Sequence, residues 1–210
     1  MTTARVATRL QAALLAGLLG LSGCAGSMPR AWVDGTLERG MRIAILPLAN
    51  YTDRQDASDR IVPLLAVEMA RQRGVQIVDP GRVEEVFAAE PWLLLDRLPP
   101  DLVEKFGAGL EADALLVGSV LSFGYRDAET GAVPEISVTL RLLRIPGGKC
   151  VWSGTQARAG DDRESVFGLG RIDNLERLAT TAVRELIETL PESNGSASGP
   201  KTTQTAEQEK

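Results

Sequence analysis

Histidine is missing from this chain of 210 residues. It is the commonest metal ligand in proteins and the commonest acid–base group near neutral pH, so its absence argues against a metal centre and a histidine-dependent hydrolase. The 23 lysine and arginine residues are outnumbered by 28 acidic residues, which gives a net charge of −5 and argues against a nucleic-acid partner. We therefore expect a protein that is not an enzyme and that binds neither metal nor nucleic acid.

The apolar run near the N-terminus is short. It extends from Leu10 to Leu21, with Gln11 as an interruption, whereas a helix needs about 20 apolar residues to span a bilayer. Arg5 and Arg9 precede it, and no acidic residue occurs before Cys24. A positive segment followed by a short apolar one predicts a signal peptide over residues 1–23.

Cysteine is scarce, and the first of the two, Cys24, ends the stretch Leu21-Ser-Gly-Cys. This stretch resembles a bacterial lipobox, which implies cleavage between Gly23 and Cys24, a diacylglycerol on the thiol and an N-acyl chain such as palmitate. No other cofactor is expected. Ala25, in place of an aspartate, implies sorting to the outer membrane with the chain facing the periplasm. The alternative is an ordinary secretory signal in which Cys24 is incidental.

Lipidation of Cys24 leaves Cys150 as the single remaining thiol, so no intrachain disulfide can form. Cys150 lies in an apolar, strand-like run and is interpreted as a small buried hydrophobe. A reactive thiol is the alternative.

Composition divides the mature chain into three parts. Residues 24–40 have little periodic pattern and are interpreted as a lipidated tether. Residues 191–210 are rich in Ser, Thr, Gly and Gln, which cannot bury enough apolar surface, and are predicted to be a disordered tail. The foldable domain is therefore predicted over residues 41–190.

Hydrophobic periodicity predicts an α/β fold, a single domain with a mixed parallel and antiparallel sheet flanked by helices. A polar loop is expected at 126–135, and Pro146-Gly-Gly is expected to turn an antiparallel hairpin. The last element is an amphipathic C-terminal helix. The predicted strands are 42–48, 75–78, 114–123, 135–145 and 149–157, and the predicted helices are 60–73, 82–90, 101–109 and 173–190.

Four stretches occur in an order that resembles a known family: IAILPLANYT from Ile43, VQIVD from Val75, ADALLVGSV from Ala112 and GKCVWSG from Gly148. The chain is similar to the periplasmic domain shared by the curli-secretion lipoprotein CsgG and the penicillin-binding-protein activator LpoB. This resemblance implies a lipid-anchored binding or assembly module that assists an envelope machine, in cell-wall synthesis or secretion, through protein–protein contacts. An oligomer fits the same family.

The alternative function is an oligomeric, CsgG-like secretion channel component. The curli channel inserts long amphipathic hairpins into the membrane, whereas the hairpin predicted here is short and the strand 114–123 is apolar on both faces. LpoB-type activators use a long tether. Residues 25–40 reach at most about 3.3 Å per residue, so a partner would have to come close to the membrane.

Three regions are candidates for a partner surface: the hairpin Glu135 to Ala157 and the polar loops Asn50–Asp59 and Arg126–Pro134. Asn50, Arg141 and Trp152 are the candidate contact residues. Trp152 has two interpretations, packing against the sheet or acting as an exposed interface anchor on an edge strand. The acidic residues Asp161, Asp162 and Glu164 are interpreted as a solvated loop rather than a cation site.

Overall fold

The computed structural model describes residues 28–88, 98–129, 131–165 and 169–191. These residues form one seven-stranded mixed sheet with four helices, which confirms the predicted α/β class. The strands are β1 (Arg30–Val33), β2 (Arg42–Ile45), β3 (Ala49–Asn50), β4 (Gln76–Ile77), β5 (Ala114–Ala128), β6 (Gly131–Arg144) and β7 (Lys149–Ala159). The helices are α1 (Ala57–Arg73), α2 (Pro80–Phe87), α3 (Pro100–Leu110) and α4 (Leu175–Glu188).

The sheet has the order β1-β7-β6-β5-β2-β4, with β3 beside β5. Strands β4, β2, β3 and β5 pair in parallel, and β5, β6, β7 and β1 pair antiparallel. Helices lie between the parallel strands β2, β4 and β5 along the chain, as parallel pairing requires, and tight turns connect the antiparallel strands β5, β6 and β7. Strand β1 is distant from its partner β7 along the chain. Strand β5 joins the two parts and is the longest strand.

Two hydrophobic clusters lie on opposite faces of the sheet. Ile43, Leu116 and Trp152 belong to the cluster under α1 and α4. Leu115 and Phe106 belong to the smaller cluster under α2 and α3. Neighbouring residues of β5 enter different clusters because successive side chains of a strand point to opposite faces.

Helix α4 confirms its predicted stripe. The residues expected to face inward are all buried in the cluster under α1 and α4: Leu175, Leu178, Ala179, Ala182, Val183, Leu186 and Ile187. The helix begins after Asn174, whose side chain accepts a hydrogen bond from the Arg177 amide at 2.9 Å.

Helix α1 begins three residues before the predicted Arg60, so Pro63 lies inside the helix. It ends at Gly74, which has a left-handed backbone with φ of 61°. None of the helices in the described ranges has the length and apolar character needed to cross a membrane.

Two predicted boundaries differ from the structure. The polar loop predicted at 126–135 is instead the distal part of a long hairpin, because β5 and β6 pair from Ala114↔Arg144 to Ala128↔Gly131. Residues 30–33, predicted to be tether, form β1 and pair with β7, and Leu37 is buried. The folded region therefore begins before residue 41.

Candidate partner-binding surface

One part of the sheet is not covered by a helix. Helices α2 and α3 pack over the cluster that holds Leu115, Val117 and Leu143. Farther along the same strands, small and polar side chains stand in register on that face. We define the open sheet face by these residues, all exposed or half-buried: Arg30, Trp32, Ser119, Ser137, Thr139, Arg141, Ser153, Thr155 and Ala157.

The three predicted contact residues do not lie together. Arg141 is half-buried on the open sheet face, beside Ser153. Trp152 lies on the opposite face, fully buried under α4, where its indole nitrogen donates a hydrogen bond to Thr189 Oγ1 at 3.2 Å. The packing interpretation of Trp152 is therefore confirmed, and its place on a partner surface is wrong.

Asn50 is exposed at the end of β3 and shapes the loop that follows it. Its amide nitrogen donates to the Arg54 carbonyl at 2.7 Å. Its side-chain oxygen accepts from the Thr52 amide at 3.0 Å and from the Thr52 hydroxyl at 2.8 Å. Asn50 thus holds the loop in place, as asparagine does in many turns.

Beside this loop lies a groove of about 430 Å³. Three large apolar side chains stand around it: Tyr51 is 59% exposed, Leu121 48% and Tyr125 53%. We call it the aromatic groove, and its lining residues are Tyr51, Thr52, Asp53, Arg54, Leu121, Ser122, Phe123, Gly124, Tyr125 and Glu135.

A β-bulge shapes the groove. The Tyr51 amide donates to the Val120 carbonyl at 2.9 Å, after which the chain leaves β5. The pairing of β5 with β6 then skips Leu121, between Val120 and Ser122. Bulges bend a strand and redirect its side chains. Beyond the bulge, β5 pairs with β6 on one edge, and in the described part of the chain no strand pairs with its other edge.

The walls of the groove are held by polar contacts. The Arg54 guanidinium lies 5.5 Å from the centre of the Phe123 ring. The Tyr125 hydroxyl accepts a hydrogen bond from the Leu175 amide at 3.3 Å, at the start of α4. These contacts tie both sides of the groove to the body of the domain.

Ion pairs with Asp56 also hold the loop between β3 and α1 in place. Hydrogen bonds from Arg54 and then from Arg60 lower the pKa of the Asp56 carboxyl from 3.8 to about 2. Asp56 is therefore ionised at neutral pH and joins the loop to the first turn of α1.

The acidic residues after β7 are used in structural contacts. Asp161 pairs with Arg126 at 2.6 Å, and Glu164 pairs with Arg171 at 3.2 Å. The Asp162 carboxylate accepts from the Ala159 amide at 2.9 Å. Among the described residues, no group of three or more Cys, Asp or Glu side chains is arranged to hold a metal ion.

Cys150 is half-buried on β7 and packs against the cluster under α2 and α3. Its thiol donates to the Trp152 carbonyl at 3.2 Å. Burial raises the pKa of the thiol, which favours its protonated and less reactive form. These contacts fit the interpretation of Cys150 as a small buried hydrophobe. Gly23 and Cys24 lie outside the described residues.

Sequence reasoning missed two residues of the aromatic groove. Leu121 lies within the predicted strand 114–123, which is apolar on both faces, and Tyr125 lies between that strand and the predicted loop at 126–135, with no predicted role. The available signal was the change from the apolar run that ends at Phe123 to the polar stretch that follows it.

No family model and no curated protein sequence matches the chain. Among solved structures, the PelC dodecamer from Paraburkholderia phytofirmans matches with a TM-score of 0.56 at 22% identity, covering 78% of this chain and 98% of that chain. A lipoprotein from Neisseria meningitidis gives 0.48 at 21% identity, covering 71% and 99%. The LpoB C-terminal domain from Salmonella enterica gives 0.45 at 14% identity, covering 59% and 86%.

The similarity to PelC shows that the two chains share a fold over most of their length. The LpoB domain is also among the similar structures, at a lower score. The resemblance to CsgG stays a prediction.

Proposed function

We propose that this chain is a lipid-anchored, non-catalytic module that binds a protein of the cell envelope through its aromatic groove. It would sit on the periplasmic side of the outer membrane and assist a machine for cell-wall synthesis or for secretion and assembly. The observation that carries the proposal is the cluster of exposed Tyr51, Leu121 and Tyr125 around one groove. Clustered aromatic and large apolar side chains on a surface are typical of interface anchors.

The groove suits a polypeptide partner. Beyond the bulge at Leu121, the edge of β5 next to the groove carries amide and carbonyl groups that no described strand pairs. An extended segment can add to such an edge through main-chain hydrogen bonds, with pockets beside it reading alternate side chains. Tyr51 and Tyr125 would supply those pockets, because tyrosine gives a large contact area at a small cost in conformational entropy.

The proposal is tested by photo-crosslinking in intact envelopes. A crosslinking amino acid at Leu121 should give a discrete adduct, and Tyr51→Ala should remove most of it. Val67, which is 62% exposed on α1, is the control position and should give no such adduct. Equal adducts at both positions, or an adduct that Tyr51→Ala leaves unchanged, would contradict a binding role for the groove.

The anchor is tested separately. Labelled palmitate should be incorporated into the wild-type chain and not into Cys24→Ser, which should also stay uncleaved. A Cys24→Ser chain that is still processed and membrane-bound would contradict lipidation at this residue.

A second candidate is an oligomeric component of a secretion apparatus. It is favoured by the shared fold with PelC, which forms a dodecamer. Native mass spectrometry of the detergent-solubilised chain measures the oligomeric state, and planar bilayers measure ion conductance. A ring-shaped oligomer that conducts ions would favour this candidate, whereas a monomer without conductance would reject it.

A further inference from the structure

The N-terminal end of the described chain exposes an unusual amount of apolar surface. Within residues 28–33, Met28 is 81% exposed, Trp32 53% and Val33 45%. They lie at or next to β1, which is an edge strand of the sheet. Strand β1 pairs with β7 from Arg30↔Thr155 to Val33↔Trp152, and in the described chain its other edge has no partner strand.

The side chains of β1 alternate, so both sides of this edge are apolar. Trp32 stands with Arg30 on the open sheet face, and Val33 points to the other side. The acidic groups next to β1 are engaged, since Asp34 pairs with Lys149 at 2.8 Å and Glu38 pairs with Arg144 at 2.6 Å. The edge is therefore apolar, carries the exposed cation Arg30, and has its neighbouring carboxylates in ion pairs, which makes it compatible with phospholipid headgroups.

The chain length gives the second argument, and it rests on the proposed lipidation of Cys24. Three residues lie between Cys24 and Met28, and the four residue steps that join them span at most about 14 Å. Acyl chains on Cys24 would therefore hold Met28 within about 14 Å of the lipidated residue and Arg30, at the start of β1, within about 20 Å of it, so the edge can reach the headgroup layer. Tryptophan is the residue most typical of that layer.

We propose that Met28, Trp32 and Val33 form a membrane-contacting edge that lies against the lipid surface beside the anchor. This contact fixes the orientation of the domain. Three strand spacings separate β1 from β5, which is about 14 Å across the sheet, so the aromatic groove stands farther from the anchored edge. The membrane-contacting edge thus presents the groove to partners away from the lipid.

The test uses the full lipidated chain in phosphatidylethanolamine–phosphatidylglycerol vesicles, in a Cys150→Ser background. An environment-sensitive dye is attached at Trp32→Cys or, as the matched control, at Leu121→Cys. Both positions are about half exposed in the structure. The dye at residue 32 should shift its emission to shorter wavelength on reconstitution and be quenched by nitroxide-labelled lipid. The dye at residue 121 should do neither.

Three results would overturn the proposal. An unshifted and unquenched dye at residue 32 would show that the edge is not in contact with lipid, and equal shifts and quenching at both positions would show that the contact does not orient the domain. A shift at residue 32 that appears in detergent and grows with protein concentration would show that a second copy covers the edge instead. Palmitate incorporation is measured in the same samples: a lipidated chain with an unshifted dye rejects only the edge, whereas an unlipidated chain rejects the anchor and the edge that depends on it.

Discussion

The two faces of the sheet differ in what covers them. Helices α1 and α4 cover one face along most of the antiparallel strands, and Trp152 is buried there without contact to solvent. On the other face, helices α2 and α3 cover one end, and the remaining part is the open sheet face, lined by serine, threonine and alanine together with Arg30, Trp32 and Arg141. The difference teaches that the larger hydrophobic cluster lies under α1 and α4, while the open sheet face on the other side is left uncovered by helices.

The covered face also contains charge. Arg158 of β7 is buried and pairs with Glu185 of α4, which also accepts hydrogen bonds from Gln156 at 3.1 Å and from Arg163 at 3.0 Å. Buried ion pairs are costly to break, because the remaining partner stays desolvated. This network therefore fixes how α4 lies on the sheet.

The largest effect is expected from Trp152→Ala. Removing a buried indole should lower the free energy of unfolding by about 3–5 kcal/mol. Its control, Trp32→Ala on the exposed edge, should change the same quantity by no more than about 0.5 kcal/mol. Urea denaturation followed by circular dichroism measures both, and similar losses would show that the two faces do not differ in stability.

Glu185→Ala should come next. This substitution leaves the buried Arg158 guanidinium without the Glu185 carboxylate, and we expect the free energy of unfolding to fall by about 3 kcal/mol. The matched control is Glu176→Ala, also on α4, which removes an exposed pair with Arg60 and should cost less than about 1 kcal/mol. If both variants lose the same small amount in chemical denaturation, the buried network does not fix α4.

Gly118→Ala tests how tightly the sheet is packed at its centre. An added Cβ would lie 2.2 Å from the Thr139 carbonyl oxygen, so strand β6 would have to move. We expect a loss of about 1–3 kcal/mol, as for other overpacked sites. Gly124 lies on the same strand, beside the aromatic groove, and a Cβ added there has no heavy atom within 4 Å. The melting temperature of Gly124→Ala should therefore be close to that of the wild type. A milder effect at Gly118 than at Gly124 would reverse this ranking.

The smallest effect concerns the groove loop and depends on pH. The Asp56 pKa of about 2 in the folded chain lies below its ordinary value of 3.8, so its stabilising contribution is complete above about pH 4 and is lost as the pH falls through 2. Asp56→Asn should remove this dependence together with the contribution itself, so the variant should be slightly less stable than the wild type near pH 7 and equal to it below about pH 2. Carboxyl NMR titration measures the pKa directly, and a value near 3.8 would show that Arg54 and Arg60 do not hold the carboxylate.

Much of the fold was predictable, because local signals and burial agree in several elements. The α4 stripe has helical spacing and is buried along its length. Pro146-Gly-Gly turns β6 into β7, as predicted. In these places propensity, turn chemistry and hydrophobic pattern indicate the same structure.

The missed elements lack such agreement. All four residues of β1 are exposed, so its sequence has no alternation of buried and exposed residues that would predict a strand. Its partner β7 is also distant along the chain. The distal hairpin has polar residues on its exposed side and a turn at Ala128 to Gly131, which together resemble a loop. The groove is formed by the bulge at Leu121 together with the loop after Asn50. These two segments are far apart in the sequence, and no local sequence pattern predicts that they lie side by side.

The pairing of β1 with β7 also sets the length of the segment between Cys24 and the sheet. With β1 in place, six residue steps join Cys24 to Arg30, a span of at most about 20 Å. Without that pairing, the 18 residue steps from Cys24 to Arg42 could extend to about 60 Å. If Cys24 is lipidated as proposed, four paired residues at the edge of the sheet decide whether the domain is held near the membrane surface or can move several nanometres from it.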